Sequence, residues 1–423
     1  MEFSSFSAAA TAVLVGTFIL AFIMGAVANK TNFCTMGAVS DWVNMGDTGR
    51  MRSWLLAIAV AMLGVSTLEF FGVLNADGSF PPYRMDNLNW LGHVLGGFLF
   101  GIGMTYGSGC GNKTLVRVGG GNIKSILVML MIGIVAYFLL STQSVFGTGQ
   151  TLNQLLFGWM DATAINLSGG QDLGSVVAGD ADGTARLVLG LVIGVLLLAL
   201  IFKAADFRKS FDNILGGLVI GLVVVGAWWL TSNVQIADDM GDTYTPTAYL
   251  ADWDFLGEPG EERPADQVRF WNNQSFTFIA PMGQSAEYVV EGFDSRFLYF
   301  GVMALAGVIL GSFFWALVSR SFRIEWFSSF RDFWNHFAGG ILMGVGGILA
   351  MGCTVGQAIT GVSTLAIGGF LTFIFIVFGA ALTMKIQYYK MVYEDEASFG
   401  KALVTSLVDM KLLPSKLRSL EAI

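Results

Sequence analysis

One segment of this chain occurs twice, and both copies end in a thiol. The first reads HVLGGFLFGIGMTYGSGC (93–110) and the second HFAGGILMGVGGILAMGC (336–353), aligned without a gap. Between them they hold both histidines of the chain and two of its three cysteines. An internal copy lying within apolar sequence narrows the fold to a membrane protein built from repeats. Its equivalent half-sites would meet where something crosses the bilayer.

Composition agrees. Hydrophobic residues make up 54% of the 423 residues and charged residues 13%, against about 25% charged in soluble domains. Apolar runs near the ~20 residues needed to span hydrocarbon recur along the chain. They predict nine spans, near 8–28, 53–75, 91–109, 123–141, 186–204, 213–231, 296–319, 337–352 and 365–385. No basic stretch precedes the first run, which reads as a retained span and not a cleaved leader. Fifty-four glycines against seven prolines fit close helix packing.

The connections alternate in charge. Those at 29–52, 110–124, 203–212 and 320–335 carry Lys30, Arg50, Arg52, Lys113, Arg117, Lys124, Lys203, Arg208, Lys209, Arg320, Arg323 and Arg331. The connection 142–185 has no Lys or Arg, and 232–295 has twelve acidic residues against two basic. The positive-inside rule predicts an outer N-terminus and a cytoplasmic C-terminus. His93 then opens its segment from outside and His336 from inside, so the copies run in opposite directions. The expected fold is an all-α integral membrane protein of about nine transmembrane helices in an inverted internal repeat, with short re-entrant half-helices after each Cys. Residues 1–141 form the first repeat, 142–212 an outer loop and linking helix, 213–390 the second repeat with outer loop 232–295, and 391–423 a cytoplasmic tail.

Weaker copies extend the pattern. FIMGAVANKTNFCTMG (22–37) matches ILMGVGGILAMGCTVG (341–356), and NILGGLVIGLVVVGAWWL (213–230) keeps the glycine spacing with Leu230 at the cysteine position. Cys34, Cys110 and Cys353 thus occupy one structural position in related elements. After each, the apolar run breaks into short, Gly-rich sequence that reads as a half-helix, whose free N–H groups suit an anion. A buried thiol can be a small hydrophobe or a polarizable contact for a sulfur-containing solute. Lys113 and Arg117 serve either as topogenic charge or as a landing point for an anion. Asn112, Thr354 and Gln357 could hydrogen-bond a solute or cap the half-helices. Glycines at 101, 103, 107, 109, 111, 344, 346, 347 and 352 would either pack helices or free space around the thiols. His93 and His336 read as interfacial anchors, and Glu69 as a carboxylate that pairs with a cation or faces water. The sequence holds no Walker loop, CxxC or HExxH, so no cofactor is expected, and nothing supports nucleic-acid binding.

The stretches NFCTMGAVSDW (32–42), LGHVLGGFLFGIGMTYGSGCGNKTLVRVGGGNIKS (91–125), GSFFWALVSRSFRI (311–324) and GGILMGVGGILAMGCTVGQAITG (339–361) make the chain resemble the YeeE/YedE sulfur-transport family of bacterial inner-membrane proteins. The resemblance implies uptake of thiosulfate or a related small sulfur-containing anion past three thiols, here Cys34, Cys110 and Cys353, by S–H···S contacts. It also implies a TusA-like cytoplasmic sulfur carrier as partner, besides membrane lipid. Gly111-Asn112-Lys113 replaces the family's usual Thr-Gly, and Asn32 stands where a basic residue is usual. A membrane thiol redox or sulfur-transferase protein using Cys110 and Cys353, a transporter of a selenium compound, and a membrane subunit with inert cysteines are the alternative readings.

Overall fold

In the computed structural model the chain is described except for residues 146, 180–182, 239, 258–261, 265–267 and 422–423, and the side chains of 268 and 395. Parts of the expected outer loop 232–295 and the end of the expected tail fall outside the described residues.

The long helices are α1 (Phe6–Lys30), α3 (Gly49–Phe70), α4 (Trp90–Tyr106), α6 (Ile123–Leu140), α7 (Thr184–Phe202), α8 (Phe211–Ser232), α10 (Phe300–Val318), α11 (Phe330–Leu349) and α12 (Ile367–Val392). They stand at all nine expected places. Among the described residues eight helical stretches are long and apolar enough to cross a bilayer; α4, with 17 residues, is the short one. The shorter helices among or beside them include α2 (Thr35–Met45), α5 (Gly111–Gly119), α9 (Ile279–Val290) and α13 (Phe399–Asp409). A π-helix covers Thr354–Gly361. The chain is thus an all-α membrane protein, with strand pairing limited to short edges such as Glu2–Phe3 on Gln235–Ala237.

Helix starts follow from local chemistry. Ser5, Asn122 and Ser329 each accept a first-turn N–H of α1, α6 and α11, satisfying a donor that the helix itself leaves unpaired. Long helices are apolar nearly all round, as expected of spans. The connections sort to two ends. At the basic end Lys30 meets Asp212 at 2.8 Å, Lys124 meets Asp332 at 2.8 Å, and the Ile123 N–H donates to Glu325 O at 3.1 Å. At the other end Asn233 Nδ2 donates to Val73 O at 2.7 Å and Arg269 Nη2 to Leu140 O at 3.1 Å.

Helix contacts pair off as a two-fold repeat requires. α1 packs on α10 as α8 packs on α3, α4 on α12 as α6 on α11, and α5 on α10 as the π-helix on α3. α9 packs on α6 and α10 as α2 packs on α12 and α3. Helix α9 is therefore the counterpart of α2, although its sequence lies within the stretch expected to be an outer loop. The expectation at Leu230 is corrected in the same way. Leu230 belongs to α8 and fills the space over Gly16, whereas the residue that starts the fourth half-helix is Phe278.

The centre of the bundle is backbone against backbone. A Cβ on Gly103 would stand 2.7 Å from Met343 N and 2.8 Å from Gly339 O, and one on Gly346 would stand 2.6 Å from Gly96 O. These duplicated glycines serve the α4–α11 crossing and not the space around the thiols. His93 also departs from expectation. It is buried, with Nδ1 2.8 Å from Thr372 Oγ1, and Gly368 of α12 leaves room for its ring. His336 is buried too, 2.8 Å from Asp332 O and 3.1 Å from Asp332 Oδ1.

Candidate functional site

Each cysteine is the residue that starts a half-helix: Cys34 for α2, Cys110 for α5 and Cys353 for the π-helix. All three are buried and free. The Cys34 Sγ accepts the Gly37 N–H at 3.4 Å and the Cys353 Sγ accepts the Gly356 N–H at 3.4 Å. Cys110 makes no such cap bond; its Sγ instead receives the Thr35 hydroxyl at 3.8 Å. Thr35 follows Cys34 in the chain. On the other side, a Cβ on Gly111 would lie 3.6 Å from Cys353 Cβ. Cys110 is therefore the middle thiol, with Cys34 on one side and Cys353 on the other. Three helix N-termini gather at these sulfurs, and their partial positive charge favours an anion.

The remaining expected residues divide between two flanks. Lys113 lies on the Cys34 flank, its Nζ 2.5 Å from Asn32 Oδ1. Arg117 donates to Ser108 O at 2.6 Å. Arg50 holds Asp41 through two hydrogen bonds, at 2.5 and 2.7 Å, and its Nη1 lies against Gly37. These three cations come from α5 and α3 and face the Cys34–Cys110 side. Asn32 and Lys113, which belong to two of the three departures from the family pattern (the third is a longer 232–295 loop), thus touch each other. Thr354 and Gln357 lie on the Cys353 flank. Gln357 Nε2 donates to Ala350 O at 2.5 Å, while Gln357 Oε1 and Thr354 Oγ1 find no hydrogen-bond partner among the described residues. Asn112 Oδ1 is likewise unpartnered. None of the three is a helix cap, since the cysteines hold those positions.

Sequence reasoning missed Tyr83, Thr277 and Phe278. All three are buried, and none is itself a thiol or a charged residue that the sequence would single out. Glu69, left open between a partner and water, is paired: Arg84 Nη2 lies 2.8 Å from its Oε2. Arg84 also reaches Asp77 at 3.1 Å and donates from Nε to Thr364 O at 3.0 Å. Next to it, Arg186 holds Asp172 at 3.0 and 3.1 Å. Burial works to raise the Asp172 pKa, but the hydrogen bonds from Arg186 and Ser175 prevail and hold it below the usual carboxylate range. Gln171 O accepts the Ile367 N–H at 2.9 Å and Leu365 O accepts the Leu173 N–H at 3.1 Å. This ion-pair cluster therefore straps the exit of the π-helix.

Comparison with known proteins shows the family of the chain. The model of the family described as sulphur transport matches residues 30–382. Two similar proteins carry the name thiosulfate transporter TsuA. The one from Escherichia coli is 24% identical over 402 residues, covering 89% of this chain and 96% of the relative. The one from Spirochaeta thermophila is 26% identical over 380 residues, covering 87% of this chain and 96% of the relative.

Proposed function

The chain belongs to the sulphur transport family, and from that premise we propose that it carries thiosulfate, or a closely related small sulfur oxyanion, across the bacterial inner membrane. The observation that carries the proposal is the run of three buried thiols, each starting a half-helix, with Cys110 between the other two. A thiol is a weak donor and a polarizable acceptor, so it can contact the terminal sulfur of thiosulfate without holding it tightly. Successive weak sites are what conduction needs. The helix N-termini offset the charge of the anion.

Direction follows from the two flanks. The basic end is cytoplasmic and the N-terminus outside by the positive-inside rule. The anion enters past Cys353 and leaves past Cys34, toward Lys113, Arg117 and Arg50. A TusA-like sulfur carrier would receive it at that end, near the tail.

The test is uptake of radiolabelled thiosulfate into proteoliposomes by wild type, Cys110→Ala and Cys353→Ala. Wild-type uptake that falls more than about tenfold in each variant, a loss of some 1.4 kcal/mol or more in barrier terms, supports the reading. Alanine variants that transport like wild type make the thiols packing residues and end it. A covalent sulfur adduct on Cys110 or Cys353 by mass spectrometry, without net uptake, would instead indicate sulfur transfer.

A further inference from the structure

Around Cys353 several buried polar groups lack a partner, and two of them sit on connections between helices. Thr277 Oγ1 lies in the space left by two glycines on either side of that cysteine. A Cβ on Gly352 would stand 3.3 Å from it, and one on Gly356 would collide with it. Tyr83 packs its ring against Gly361 at the other end of the π-helix, with ring carbons 3.2 Å from where a Cβ would be, and meets Trp228 edge-on at 6.4 Å. Thr277 Oγ1, Tyr83 OH and Thr354 Oγ1 all find no hydrogen-bond partner among the described residues, and these residues are 6%, 2% and 0% exposed. Burying a hydroxyl without a partner is costly, so three along the one π-helix that Cys353 starts call for an explanation.

The backbone that holds Thr277 is tied down on both sides. Thr360 of the π-helix donates to Phe276 O at 2.7 Å, Ser275 donates to Val224 O at 2.8 Å, and Thr231 donates to Gln274 O at 2.8 Å. The hydroxyls of Thr360, Ser275 and Thr231 are engaged on that backbone while the Thr277 hydroxyl is left over. Next to it, the Gly356 amide donates to the Cys353 sulfur at 3.4 Å. The nearby guanidinium of Arg84 is already held by Glu69 and Asp77.

We infer that Tyr83, Thr277 and Thr354 form a neutral oxyanion-recognition site at Cys353, their hydroxyls donating to the oxygens of the solute while the thiol meets its sulfur. The inference rests on the transport reading and sharpens it, because the site asks for a solute with oxygen and sulfur ends together. Rotatable hydroxyls can aim at a tetrahedral group in more than one orientation. Neutral donors hold an anion more loosely than a paired cation would, which suits a site that must release. Hydrosulfide offers no oxygen, only a soft sulfur that accepts weakly, and gains less from these groups.

The experiment compares wild type with Tyr83→Phe, Thr277→Val and Thr277→Ser in proteoliposomes. It measures initial thiosulfate uptake against concentration, with and without hydrosulfide as competitor. Tyr83→Phe and Thr277→Val are each expected to raise KM on the order of tenfold, the effect of losing a hydrogen bond to a charged acceptor. Hydrosulfide should compete relatively better in both, and Thr277→Ser should restore the wild-type KM. A wild-type KM and competition profile in both deletion variants overturns this assignment alone. Absence of thiosulfate uptake by wild type overturns the transport reading along with it. Should Thr277→Val fail to fold, Tyr83→Phe carries the test, since it removes one oxygen from a ring whose packing it keeps.

Discussion

At the scale of single residues, the three cysteines differ in their surroundings although they hold one kind of position. Cys34 and Cys353 each accept a backbone N–H from their own half-helix, whereas Cys110 takes a hydroxyl from the neighbour of Cys34. The middle thiol is therefore the least committed to its own helix, and Cys110→Ser should be the most damaging conservative change, with uptake assays on all three serine variants as the check. Lys113 acts differently. Its ammonium sits outside the thiol row on Asn32, so it works through charge. Lys113→Gln should lower initial uptake several-fold at low ionic strength, and the deficit should shrink once salt brings the Debye length below roughly 8 Å. A salt-independent deficit would mean that Lys113 supports structure instead of attracting the anion.

At the scale of elements, the glycine-lined crossing of α4 and α11 leaves no room for side chains. Gly103→Val would push a branched side chain onto Met343 N and Gly339 O. The cost is expected to be about 1–3 kcal/mol, read as a lower unfolding temperature in detergent. Much at this scale was legible in the chain. The nine helices, the half-helices behind each cysteine and the pairing of the two GC copies all follow from apolar length and spacing. The fourth half-helix was not legible. α9 starts at Phe278, with no thiol to mark it, and is preceded by acidic sequence that reads as an outer loop. Meanwhile α8 keeps the glycine spacing for its packing on α3, where Gly217 and Gly221 approach Ser53 O and Ala57 O, and so points falsely to Leu230. The site was read in part for the same reason. Cysteines and lysines announce themselves, whereas Tyr83 and Thr277 gain meaning only when folding brings them to Cys353.

At the scale of the whole molecule, the end opposite the basic one is held by the ion-pair cluster of Arg84, Glu69, Asp77, Arg186 and Asp172. Removing one partner of a buried pair leaves the others uncompensated, so Arg84→Met should cost about 3–5 kcal/mol of stability, measured by thermal unfolding. Asp172 predicts a pH dependence. Its pKa is lowered on folding, so its contribution is present above the unfolded value of about 3.9 and disappears as pH falls through the folded value. The unfolding temperature should hold steady from neutral pH down to that range and drop below it. Asp172→Asn should start lower at neutral pH and show a shallower acid drop. The glycine crossing has a consequence for time as well. Where the two halves touch through main chain, with no side chains to yield, rocking one half against the other would break contacts that nothing else replaces. On the proposed transport reading, the motions of the cycle are then expected in local side-chain turns and not in domain swings of microseconds to milliseconds. The rate of uptake should accordingly vary little with temperature, as flow through an open conduit does and the stroke of a rocking carrier does not.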